Sequence, residues 1–98
     1  MEVYFHPKAE AEYLEAVIWY EQQSAGLGIR FMEAVRKRIT GILANPDAYA
    51  RKKGLFREAI VDNTFPFLIV FVVESDEALF IASVFHTRRN WKEKYRNR

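Results

Sequence analysis

The 98-residue chain contains no cysteine. A disulfide framework and a thiolate metal site are therefore both excluded, and a reducing compartment is the simpler setting. Histidine is scarce as well. His6 and His86 stand near opposite ends of the sequence and give a zinc site little support, so no metal is expected. No glycine-rich phosphate loop, Ser-His-Asp spacing, internal repeat or low-complexity segment is visible, and no cofactor is expected. The opening stretch, MEVYFHPKAE, carries acids and no long apolar run. It resembles neither a signal peptide nor a membrane anchor, so the expectation is a cytoplasmic protein without membrane association.

What the chain does have is apolar content: 50% of its residues are hydrophobic, enough at this length for one modest core and one domain spanning 1–98. The richest stretch is FPFLIVFVVESDEALFIASVFHTRRN, residues 65–90. From Phe67 to Val73 every residue is apolar, as in a central strand buried on both faces. Glu74 to Glu77 reads as a short hairpin loop, and Ala78 to Phe85 as the antiparallel partner. His86, Arg88 and Arg89 then fall just past a strand end, where a rigid sheet can present side chains at the surface.

Upstream, Val3 and Phe5 suggest a short first strand, stopped by Pro7, which suits the first turn of a helix. Lys8 to Gln23 reads as that helix, with Tyr13, Leu14, Val17 and Ile18 as its apolar stripe. Ser24 to Gly28 is the loop. A second helix begins at Gly28 or Ile29 and carries Phe31, Met32, Val35, Ile39, Ile42 and Leu43 on one face, ending at Asn45-Pro46. The two helices should form an antiparallel hairpin. Asp47 to Gly54 reads as a polar connection, and Phe56 to Val61 alternates as a strand. Asn90 to Arg98 reads as a short amphipathic helix or a loose tail.

The fold class is α+β: a helical hairpin on one face of a small, mainly antiparallel sheet, in the order β-α-α-β-β-β plus a C-terminal segment. A hairpin covers one face only. Leu68, Val70 and Val72 point away from Phe67, Ile69, Phe71 and Val73, so the second face also needs a cover. Three covers fit: the C-terminal segment through Trp91 and Tyr95, a second copy of the chain in a homodimer, or a dedicated partner.

Charge is unevenly spread. Through Ala34 the acids dominate, whereas Arg88, Arg89, Lys92, Lys94, Arg96 and Arg98 face Glu93 alone at the other end. Arg51, Lys52, Lys53 and Arg57 form a second basic group. Placed on one face, the two groups would make a patch suited to a polyanion or an acidic partner.

AEAEYLEAVIWYEQQ followed by GLGIRFMEAV, then ILANPDAY, FREAI, FPFLIVFVV and IASVFHTRRN, together resemble the RelE/ParE superfamily of bacterial toxins from type II toxin-antitoxin pairs. The ending His86-Thr87-Arg88-Arg89 is closer to ParE-like, plasmid-stabilization members. That resemblance implies the fold derived above and a cognate antitoxin that wraps the toxin, for which Leu68, Val70 and Val72 are the candidate contacts. It also implies two separable chemistries. RelE-like members are ribosome-dependent, metal-independent mRNA endoribonucleases, and the carry-over makes Arg57 and Arg89 phosphate ligands and His86 the acid or base. ParE-like members arrest growth by binding DNA gyrase, and Lys53, Arg57, Arg88, Arg89 and Trp91 are then the target-binding candidates. A third outcome is a non-toxic, degenerate member that only forms a complex. Because the pattern His-x-x-Arg is commonly followed by proline, whereas Trp91 here follows Asn90, the role of Tyr95 is left open. With no obvious acid–base pair at the C-terminal end, the ParE-like reading is preferred, and enzymatic activity is left open.

Overall fold

The structure is a computed structural model that describes residues 1–89 and 91–98, the side chain of Trp91 excepted. Strand β1 (Glu2–Phe5) leads into helices α1 (Pro7–Gln23) and α2 (Leu27–Ala44), followed by β2 (Arg51–Lys53), β3 (Phe56–Ile60), β4 (Phe67–Ser75) and β5 (Ala78–His86). Two 3₁₀ turns complete it, at Pro46–Ala48 and Trp91–Tyr95. The strands form one sheet in the order β1-β5-β4-β3-β2, with β1 parallel to β5 and every other pair antiparallel. This is the expected α+β architecture.

Local chemistry sets the helix ends. Pro7 opens α1, and His6 Nδ1 accepts from the Lys8 amide at 3.0 Å, satisfying a donor that has no partner within the helix. Gly26 turns the chain with φ +86°, a conformation that favours glycine, and the Glu21 carboxylate accepts from the amides of Gly26 and Gly28 at 2.9 and 3.0 Å. That carboxylate sits at the positive end of α2. Gly28 is where the helices approach most tightly, since a Cβ there would lie 2.7 Å from the Val17 carbonyl oxygen.

The hairpin buries one face of the sheet. Phe31 on α2 is fully buried, with its ring centroid 5.1 to 6.0 Å from those of Tyr20, Phe67, Phe65 and Tyr13. Ile69, Phe71, Leu79, Ile81 and Val84 complete that core from the sheet. Burial of a side chain such as Phe31 stabilises by about 3 kcal/mol.

Three sequence expectations need correction. Leu14 and Ile18 are 49% and 58% exposed, whereas Ala9, Ala16 and Tyr20 are buried. The helix turns its small residues toward the sheet because close approach leaves no room for larger ones, and only Tyr13 and Val17 of the expected stripe pack against the core. The connection after α2 contains a strand, β2, that pairs with β3 through Arg51 and Lys53 without an apolar residue to signal it. The hairpin loop is also shorter than expected: β4 runs to Ser75, leaving Asp76-Glu77 as the turn.

Candidate functional site

Strand parity decides where the strand-end residues go. Phe71 pairs with Ile81 and Val70 with Ser83, so Ala82 is the extra residue of a β-bulge in β5. Before the bulge Leu79 and Ile81 face the helices; after it Val84 and His86 do, and Phe85 turns to the second face opposite Leu68. His86 therefore lies against Phe67, ring centroids 5.1 Å apart, and its Nδ1 accepts from the Arg88 amide at 3.0 Å.

Arg57 shares the helix face but not the neighbourhood. It pairs with Phe71 in register, whereas His86 pairs with Phe67, which places the two four residues along and two strands across, about 16 Å apart. Its guanidinium donates to the Tyr49 carbonyl at 2.6 Å and to Asp47 at 3.2 Å. Arg89 lies on the opposite side, 4.6 Å from the centroid of Phe85 and bonded to Glu12 and Glu93 at 3.4 and 3.0 Å. The structure thus keeps Arg57 apart from His86, whereas Arg89 follows His86 closely, its amide donating to the His86 carbonyl at 3.1 Å while its guanidinium turns to Phe85 and Glu12. Arg88 is exposed beyond the strand end, and the Trp91 side chain lies outside the described residues.

The two basic groups meet only in part. Arg51 and Arg57 line one recess with Asp47, Leu55 and Val73, whereas Lys53 lines another with Lys92, Glu93, Tyr95 and Arg96. Lys53 thus joins the C-terminal cations and Arg57 does not.

Two clusters that the sequence did not reveal hold the C-terminal arm, residues 91–98. One centres on Glu58, on the second face. Tyr95 packs on Phe56 with centroids 5.2 Å apart and donates its hydroxyl to Glu58, and Lys94 Nζ reaches the same carboxylate at 2.7 Å. Burial, followed by the bond to Glu58, raises the Tyr95 phenol well above its ordinary value.

The other centres on Glu12. Strand β1 pairs with β5 only from Ala78 to Ile81, so among the described residues the outer edge of β5 beyond that point has no neighbouring strand. Glu12 accepts there from the Val84 amide and the Ser83 hydroxyl, both at 3.1 Å, and Arg98 donates to the Ala82 carbonyl at 2.9 Å. The Arg98 guanidinium also grips Glu12 at 2.9 and 3.0 Å, the two side chains being 5% and 9% exposed. An acceptor and a donor from two side chains thus replace the missing ladder. Ser83 within an otherwise apolar strand was the one available signal, since a buried hydroxyl needs a partner.

The second face is consequently part-covered. Val70 and Phe85 are buried, so Val70 is no free contact surface, whereas Leu68 and Val72 are half-buried and Ile60 and Tyr4 are exposed toward the two edges. Among the described residues no group of three His, Cys, Asp or Glu side chains gathers as metal ligands, and no helix is long and apolar enough to cross a membrane.

A helical hairpin on a mainly antiparallel five-stranded sheet is consistent with the RelE/ParE fold. Residues 3–91 match the family model described as the ParE toxin of the type II toxin-antitoxin system parDE. The chain belongs to that family, which implies a cognate antitoxin as its partner. No curated protein matches the chain.

Proposed function

We propose that this toxin arrests growth in the cytoplasm by binding an essential target, DNA gyrase, rather than by cleaving RNA, and that its antitoxin neutralises it by covering apolar surface. The observation that carries this reading is that Arg57 stands far from His86 and that Arg57 and Arg89 are both already engaged by carboxylates. Arg57 is tied to Tyr49 and Asp47, Arg89 to Glu12 and Glu93, and His86 lies against Phe67 about 16 Å from Arg57. Strand scission needs acid, base and cation around a single phosphate, within a few ångströms of it. Leu68 and Val72, next to exposed Ile60, are the candidate antitoxin contacts on the second face.

Purified toxin should inhibit supercoiling by gyrase, and His86→Ala should inhibit equally well. The competing assay is a translating bacterial extract carrying an end-labelled mRNA. New 5′ ends confined to translated regions and lost in His86→Ala would replace this reading with the ribonuclease one. Expression alone without any effect on growth would mark a degenerate, complex-forming member instead.

A further inference from the structure

We infer that the C-terminal arm, together with Lys53 and Lys8, forms a groove that binds the phosphate backbone of a nucleic-acid strand. This inference goes beyond gyrase binding and stands without it. Two recesses, of about 450 and 420 Å³, adjoin through Arg96 and Glu93, which line both. Lys53 and Lys92 complete the cations of the first, and Lys8, Arg89 and Arg98 those of the second. Six cations thus line the two recesses with Glu93 as the one acid of the lining among the described residues, and two of them, Arg89 and Arg98, are held by Glu12 just outside it.

The groove crosses the whole sheet. Lys53 belongs to β2 at one edge and Lys8 follows β1 at the other, four inter-strand spacings away, or about 19 Å. One strand of nucleic acid presents about five phosphates over that length. The lining argues against a protein partner. Protein interfaces have an apolar, aromatic centre, but among the described residues the second recess is lined by charged residues and Asn97 alone. In the first, Tyr95 is the one aromatic residue among the described residues, and its hydroxyl is already engaged by Glu58. Lys8, Lys53 and Arg96 are exposed and carry no ion pair among the described residues. They are therefore available to replace condensed counterions on a phosphate chain.

The test is fluorescence anisotropy of the full chain with labelled 12-nucleotide single-stranded DNA, the corresponding duplex and single-stranded RNA, over a salt series starting near 50 mM. The variant is Lys53→Glu/Arg96→Glu. Its control is Arg36→Glu/Lys37→Glu, the same change in net charge on the exposed outer side of α2. Circular dichroism verifies both folds.

Binding by at least one oligonucleotide, a loss of tenfold or more in the groove variant, and little loss in the control are expected. For a single strand the slope of log affinity against log salt should fall by about 1.4, the share of two phosphate contacts. The oligonucleotide bound most tightly names the strand type. Absence of binding to all three, equal loss in both variants, or equally tight binding of a polyglutamate peptide would overturn the inference. Gyrase inhibition that survives the groove variant, or DNA binding without gyrase inhibition, would show that the two readings are separate.

Discussion

The two faces of the sheet are covered by different physics. Under the helices, Phe31, Phe65, Phe67, Phe71 and Tyr20 interlock with Ile69, Ile81 and Val84 in an apolar cluster, with Arg38 and Arg57 bonded to Val61 and Tyr49 at its margin. On the other face a short arm is held mainly by the carboxylates Glu12 and Glu58, with the Tyr95 ring on Phe56 as its apolar contact. Apolar burial is cumulative and tolerant of small errors in geometry, whereas a buried ion pair stabilises only when every partner is in place. The helix face should therefore govern whether the chain folds, and the second face whether the arm stays down.

The largest effect expected is on the helix face. Phe31→Ala removes a fully buried ring with four aromatic neighbours and should lower unfolding free energy by about 4 kcal/mol, read from urea denaturation followed by circular dichroism. Such a loss approaches the whole stability of a small domain. A drop below about 1 kcal/mol would mean that the aromatic cluster is not the principal core.

Glu12→Ala comes next, at about 3 kcal/mol, because it leaves Arg98 buried without its counter-charge and the Val84 amide without an acceptor. Arg98→Ala should cost less, about 1 kcal/mol, since Glu12 retains Ser83, Val84 and Arg89. Hydrogen exchange sharpens the contrast. In Glu12→Ala the amides of Val84 and residues 92–98 should lose protection while those of Ile69 and Phe71 keep theirs. Uniform loss across the sheet would show that the faces do not behave separately.

The helix face was legible in the sequence and the second face largely was not. Periodicity located both helices, and continuous apolar runs located β4 and β5, because burial leaves its mark in residue type. The orientation of α1 is not legible in the sequence because Ala9 and Ala16, which it buries, carry little hydrophobic signal. The candidate site depended on the bulge at Ala82, which reverses the side on which His86 and Phe85 emerge. No residue type announces such a bulge. The Glu12 to Arg98 clamp joins positions 86 apart in sequence, a separation that local patterning cannot bridge. Glu12 and Arg98 each read as solvated surface charge until the unpaired edge of β5 is seen.

The smallest effect expected, and the most specific to the second face, concerns Tyr95. Tyr95→Phe keeps the ring on Phe56 and removes only the hydroxyl bonded to Glu58, whose carboxylate retains Lys94; the cost should be about 1 kcal/mol at neutral pH. Alkali gives the sharper test. The folded phenol titrates above the unfolded one, so the stability it contributes is fully present below the unfolded value of 10.0 and is lost as pH rises through the higher, folded value. Tyr13 and Tyr20 are also raised by burial and will steepen the alkaline decline in any variant, so the informative quantity is the difference between wild type and Tyr95→Phe. Urea midpoints measured from pH 7 to 11 should draw together above pH 10 as the wild type begins to lose the advantage of its hydroxyl. Parallel curves would mean that the hydroxyl is not held against Glu58 in solution, and that the arm rests on Arg98, Lys94 and the Phe56 contact.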